Sequence, residues 1–225
     1  MVTLEQLRYH PAQATRPALC FDFHYSAPGM IAIFGENGSG KSTLAQLMAG
    51  WYPDFLPGDI EGHGSLLGVP VGQHSLVERS PFIQLVQQSP YLQLSGCTFS
   101  VEEEVAFGPG NLCLDETEIL RRIDAALTFT GCQPLRHRHP GTLSGGETQL
   151  VVIACALAMQ PKLLILDEAF SRLTSQMTEM LLQRLQNWAQ EQQSLVILFE
   201  RQHMPFINRC QQAWHLREEG LFPLC

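Results

Sequence analysis

The 225-residue chain carries 14 Lys and Arg against 22 Asp and Glu, a formal charge of −8, with 45% hydrophobic and 16% charged residues. That balance suits one domain with a large core, and it argues against a duplex-binding surface, which needs clustered Lys and Arg; only Lys41 and Lys162 are lysines. The longest apolar stretch, LVVIACALAM at 150–159, is half of the roughly 20 residues a spanning helix requires.

No basic segment followed by a hydrophobic one opens the chain, so a cytosolic location is expected. Seven cysteines without paired spacing read as small hydrophobes in a reducing compartment, with Cys225 exposed and oxidisable. Alternation in VTLEQLRY and LCFDFHY predicts two half-exposed strands, and the continuous MIAIF predicts a buried one. Directly after it, in FGENGSGKST, Gly35, Gly40, Lys41 and Ser42 satisfy G-x-x-x-x-G-K-[ST] in the strand-to-helix context that pattern requires. The glycines let backbone N–H groups turn inward around phosphate, and the helix end adds its positive dipole. Lys41 would reach the β and γ oxygens and Ser42 would ligate Mg²⁺. Gly35, Glu36, Asn37, Gly38, Ser39, Gly40, Lys41, Ser42 and Thr43 are therefore assigned to the nucleotide.

The helix opened there runs through KSTLAQLMAG to Gly50. A Gly/Pro-rich connection leaves room for a hairpin strand near 60–67, and FIQLV at 82–86 reads as another buried strand. From 89 to about 141 the texture changes to short helical pieces, clearest in DETEILRRIDAALTFTG, where Asp115 suits an N-cap and Gly131 a C-terminal stop. The basic RHRH at 136–139 reads as a solvated loop. In LSGGETQ, Ser144 and Glu147 match a capping box, yet Gly145 and Gly146 in the first turn are costly unless something approaches the bare backbone, for which a phosphate is the natural candidate. LLILDE ends a buried strand on Asp167, a magnesium ligand, and Glu168, the base that would polarise an attacking water. A helix over TSQMTEMLLQRLQNWAQEQQ and a strand over SLVILF complete an α/β core with a helical insertion.

With the P-loop, LSGGE and LLILDE in this order, the chain from about 4 to 220 resembles the ATP-binding cassette ATPases. The resemblance implies one cassette domain over 1–225: an α/β P-loop NTPase (RecA-like) core, an N-terminal antiparallel β subdomain and an inserted α-helical subdomain at about 89–142. It implies ATP and Mg²⁺, with two cassettes facing head to tail so that each ATP lies between one P-loop and the other chain's Ser144, Gly145, Gly146 and Glu147. Tyr9 in RYHP falls where the adenine-stacking aromatic lies, and Gln88 in VQQSP where a glutamine touches Mg²⁺ and the attacking water.

Two positions depart from that pattern. Thr174 follows Leu173 where an aspartate is usual, and Glu200 stands where a switch histidine is expected, with His203 three residues further on. An ionised glutamate only accepts hydrogen bonds, and at ~7 Å with an effective dielectric of about 20 each phosphate charge would repel it by roughly 2 kcal/mol. This implies pairing with a second, different cassette. The segment QSPYLQLSGCTFSVEEEVAFGPGNLCL is similar to that of energy-coupling factor type cassettes, which work beneath a transmembrane coupling subunit and a substrate-capturing membrane protein that import vitamins or transition metal ions. Glu102, Glu103 and Glu104 have the charge to receive that subunit's basic residues. The same resemblance leaves open a conventional ABC transporter subunit or a mainly regulatory cassette, each peripheral on the cytoplasmic membrane face and with no nucleic acid partner.

Overall fold

A computed structural model describes residues 1–12 and 18–224; Cys225, expected to be exposed, lies outside them. The chain opens with strands β1 (Val2–Pro11), β2 (Leu19–Tyr25) and β3 (Gly29–Phe34), and helix α1 (Lys41–Met48) follows. Next come β4 (Gly58–Leu66), β5 (Val69–Pro70), the single turn α2 (Leu76–Arg79) and β6 (Ile83–Val86). Helices α3 (Val101–Gly110) and α4 (Glu116–Thr130) lead to α5 (Gly145–Ala158). Strand β7 (Leu163–Asp167), α6 (Ser175–Glu191), β8 (Leu195–Glu200), β9 (Gln212–Arg217) and β10 (Gly220–Leu224) end the chain. Among the described residues no helix is long and apolar enough to cross a membrane.

The strands that alternate in sequence and those that do not separate into two sheets. Antiparallel pairing in the order β2-β1-β4-β5 forms the first. Its pairing slips between Leu4 and Leu7, where Gln6 takes φ 48° and Gly62 opposite takes φ 85°; a Cβ on Gly62 would lie 2.3 Å from the Gln6 carbonyl oxygen. This bulge keeps Leu4, Leu7 and Tyr9 on one buried face although their spacing is uneven. The second sheet has the order β10-β9-β3-β8-β7-β6, parallel except for its β10 edge.

Both faces of the parallel sheet are covered, which explains its unbroken apolar runs. Met30, Ala32, Phe34, Leu164, Leu166, Val196 and Leu198 pack against α5, α6 and the helical insertion. Their neighbours Ile31, Ile33, Leu163, Ile165, Ile197 and Phe199 pack against α1 and the antiparallel sheet. The expected antiparallel subdomain and helical insertion are thus present, and α4 has its Asp115 cap and left-handed Gly131. Absent from the sequence reading are the hairpin β9–β10, whose β9 lies parallel to β3, and the Ser75–Glu78 capping box that starts α2.

Candidate nucleotide site

Parallel pairing brings the carboxyl ends of β3, β8 and β7 side by side, and the chain segments leaving them form the site. Beyond Phe34 the P-loop curls so that Gly38 has φ 82° and Gly40 φ 98°, conformations open chiefly to glycine. Gly40 opens α1 with no side-chain cap, so the first-turn N–H groups are left for another acceptor. Lys41 is buried; its Nζ donates to the carbonyl oxygens of Gly35 at 2.7 Å and Glu36 at 3.1 Å. Asn37, Gly38, Gly40, Lys41, Ser42 and Thr43 line a cavity of about 450 Å³. Gln88, Glu168 and Arg201 complete one side of it, and Pro11 and Leu19 another. Glu36 and Ser39 turn instead to a second cavity beside β9, with His215 and Arg217.

Glu168 follows the last residue of β7 with φ 48°, an uncommon backbone for a residue with a side chain, and its N–H is held by the Phe199 carbonyl at 2.9 Å. Thus fixed, its carboxylate lies 3.5 Å from Lys41 Nζ through Oε1 and accepts from Gln88 Nε2 at 3.1 Å through Oε2. Three residues chosen from sequence, 88, 168 and 41, therefore form one linked chain at the cavity wall. Gln88 is itself positioned by Gln93, a residue given no role in the sequence reading: its Oε1 accepts from Gln87 N at 2.7 Å and its Nε2 donates to Leu85 O at 2.8 Å. Asp167 is buried with Oδ1 unpartnered, and burial pushes its carboxyl above the usual range while a hydrogen bond from Ser42 pulls the other way.

Ser144, Gly145, Gly146 and Glu147 lie apart from that cavity and line none of it. Ser144 Oγ accepts from Glu147 N at 3.3 Å while Glu147 Oε2 accepts from Ser144 N at 2.7 Å, the expected capping box. What approaches the bare first turn is this chain's own Arg172: a Cβ on Gly145 would sit 3.3 Å from its Nη1, and one on Gly146 3.1 Å from its carbonyl oxygen. The RHRH segment is solvated at His137, Arg138 and His139, as expected, but it is also paired. Arg136 pairs with Glu102 and Asp124, and Arg138 Nη1 lies 2.9 Å from Glu147 Oε1, so two of its arginines stitch the insertion together and to α5.

A family profile described as ABC transporter matches residues 21–171. The chain belongs to the ABC transporter family. This cassette is 42% identical over 153 residues to the energy-coupling factor transporter ATP-binding protein EcfA1 of Leuconostoc mesenteroides, covering 68% of the chain and 54% of that protein. It is 35% identical over 199 residues to EcfA of Methanosarcina acetivorans, covering 88% and 70%. A Saccharolobus solfataricus protein named as an ABC transporter ATP-binding protein is 33% identical over 198 residues, and the chain spans only 37% of its length. Among solved structures, cbiO1 of Clostridium perfringens, described as part of the ABC transporter complex cbiONQ, superposes with a TM-score of 0.82 at 28% identity, covering 98% of this chain and 86% of that one.

Against this family background two expectations need correction, those for Tyr9 and for the charge of Glu200. Tyr9 is 1% exposed, donates its hydroxyl to Pro57 O at 2.8 Å and stands edge-on to Tyr52, so it is a core residue and no platform for a base. Alternation along β1 turns Leu7 and Tyr9 inward, and it is Pro11, two residues on, that flanks the cavity. His203 does not replace Glu200, because β8 keeps its register, pairing Phe34 with Glu200, and the His203 ring packs 4.6 Å from that of Phe34. Glu200 itself is 7% exposed with Oε1 unpartnered, on the sheet face shared with Phe170 and Phe206. Burial first, then the charges of Glu168 and Asp167, push its carboxyl up to about 8 against the pull of Lys41. At neutral pH the group is therefore mainly protonated, and the repulsion expected of an ionised glutamate does not apply. Thr174, in the other departure from the pattern, caps α6 by accepting from Met177 N at 3.3 Å.

The three glutamates of α3 are also occupied. Glu104 is buried and accepts from Ser95 N at 2.6 Å, Ser95 Oγ at 2.8 Å and Thr98 Oγ1. Glu103 accepts from Phe99 N at 2.7 Å, and Glu102 pairs with Arg136. Glu103 and Glu104 hold residues 95–99 in place, Glu102 ties α3 to Arg136, and the three are not a free acidic face.

Proposed function

We propose that the chain is the ATP-hydrolysing subunit of an importer of the energy-coupling factor type, peripheral on the cytoplasmic membrane face. The observation that carries this reading is the Lys41–Glu168–Gln88 linkage on the wall of a cavity of about 450 Å³ at an uncapped helix start. Triphosphate would draw Lys41 from the loop carbonyls it now binds, and Glu168, held toward Gln88, would orient and polarise water at the terminal phosphate. The donor set suits magnesium: an unpartnered buried oxygen of Asp167 beside the Ser42 hydroxyl, with Gln88 nearby, offers hard oxygen ligands. Bound there, the ion would neutralise charge developing on the phosphate oxygens.

A single copy is an incomplete site in this reading, since the residues from Ser144 to Glu147 line none of the cavity and would close over the nucleotide of a second cassette. We take that partner to be a different cassette, because Glu200, even when protonated, is not the histidine that the family pattern places in this chain's own site. A groove of about 440 Å³ between the β6 edge and α3, lined by Val77, Pro81, Phe107, Cys155 and Met159, would receive a helix of the transmembrane coupling subunit. That subunit and a substrate-capturing membrane protein for a vitamin or transition metal ion complete the assembly. Two of the named relatives carry energy-coupling factor transporter names, and cbiO1 is described as part of an ABC transporter complex. The test is to identify the membrane proteins that co-purify with the tagged chain and to follow single-turnover hydrolysis with and without them. Uptake unaffected by Lys41→Ala would refute the ATPase role. ATP-dependent dimers of the purified chain alone, turning over at an ordinary cassette rate, would refute the unlike partner.

A further inference from the structure

Arg201 is the first residue after β8, and no part of the family pattern assigns it a role. It is exposed, and none of the ion pairs among the described residues includes it. Its place is fixed by the backbone: Phe34 pairs with Glu200, and Gly35 N donates to Glu200 O at 3.2 Å, so Arg201 leaves the sheet beside the first residue of the P-loop. It lines the nucleotide cavity, and it also lines an adjoining one of about 640 Å³ along β7 and α6.

Only Gln88, Glu168 and Arg201 are common to the two cavities. Pro11 and Leu19 border the first cavity alone, and Glu200, Phe170 and Leu173 the second alone. The nucleotide cavity therefore has a base-side end at Pro11 and Leu19, a middle at Lys41 and Ser42, and a far end where Arg201 stands with the candidate water-polarising Glu168. Glu168 stands at that far end, near enough to Glu200 in the adjoining cavity for their charges to couple, while the buried cation Lys41 is shared between Glu168 and two loop carbonyls. A planar guanidinium offers paired donors that match phosphate oxygens, which a single ammonium does not.

We infer that Arg201 is a further nucleotide-contacting residue, its guanidinium donating to the terminal phosphate of a triphosphate seated on the P-loop. This rests on the nucleotide reading above and extends it to a residue that distinguishes triphosphate from diphosphate. The residue two places earlier, Phe199, is buried in the core, so substitution at 201 touches the exposed end of the strand only.

The experiment is calorimetric titration of the full chain with AMP-PNP and with ADP, each with magnesium, for the wild type, Arg201→Gln and Arg201→Lys. Loss of a charge-assisted hydrogen bond should weaken AMP-PNP binding by about tenfold or more in Arg201→Gln. ADP binding should stay within about twofold, and Arg201→Lys, which keeps charge without the fork, should fall between. Equal weakening of both nucleotides, or none, overturns the inference while leaving the nucleotide site standing. A wild type that binds neither nucleotide removes the nucleotide reading itself. If Arg201→Gln does not fold, the same comparison on Arg201→Lys decides, because loss of fork geometry alone must still cost AMP-PNP more than ADP.

Discussion

Replacing Glu200 by glutamine keeps the shape of a buried side chain and removes its ionisation. Burial beside Glu168 and Asp167 raises the carboxyl from 4.5 to about 8, with Lys41 the opposing influence. The native chain thus keeps a proton that the unfolded chain releases near 4.5, so this group's contribution is complete below that pH. It is lost as pH rises toward 8 and is constant above. At ~1.4 kcal/mol per pH unit the loss reaches ~2 kcal/mol by about pH 6 and at most ~5 kcal/mol above pH 8. Urea unfolding of the ligand-free chain followed by tryptophan fluorescence, at about pH 5, 6, 7 and 8.5, measures it directly. Glu200→Gln should match the wild type within about 1 kcal/mol at pH 5 and exceed it progressively at higher pH, by several kcal/mol at 8.5. A difference independent of pH, or a glutamine variant that is the weaker one at pH 8.5, would refute the claim that this carboxyl is held neutral.

Other outcomes follow from named contacts. Glu168→Gln should retain nucleotide affinity while single-turnover hydrolysis slows by ~10²-fold or more, as for loss of a general base; unchanged turnover would remove Glu168 from that role. Tyr9→Leu should lower the melting temperature through lost packing and the lost bond to Pro57, yet leave ATP affinity as it is; a selective loss of affinity would restore the stacking role rejected above. Glu104→Ala should cost about 3 kcal/mol in unfolding free energy, because three donors of the 95–98 loop lose their acceptor. Glu104→Gln should recover part of it, and a neutral outcome for both would mean the loop does not depend on this residue.

The sequence was most legible where local chemistry and tertiary role agree. Gly35, Gly40, Lys41 and Ser42 occupy the predicted strand-to-helix turn, and Asp115 and Gly131 bound α4 as cap chemistry dictates. Reading failed where long-range packing decides. Strand β9 has Trp214 and His215 where clean alternation would be looked for, and it exists because β3 offers it a parallel edge. The Tyr9 assignment followed the family position of an aromatic, whereas its side-chain direction is set by the bulge and alternation of β1. The ion pairing of the arginines at 136 and 138 was not legible, because their partners Glu102, Asp124 and Glu147 lie 9 to 34 residues away in sequence. Glu200 stands out in the sequence only against the family pattern, and its charge state depends on a burial that no local pattern announces.

Gln93 bridges back to the backbone on both sides of Val86, and Glu104 clasps the loop that follows it. Residues 85 to 104 consequently behave as two latched rings in series rather than as a slack strap. One ring borders the groove beside α3 and the other carries Gln88 to the nucleotide cavity. A helix seated in that groove, as proposed above, would lie one latched ring away from the contact between Gln88 and Glu168.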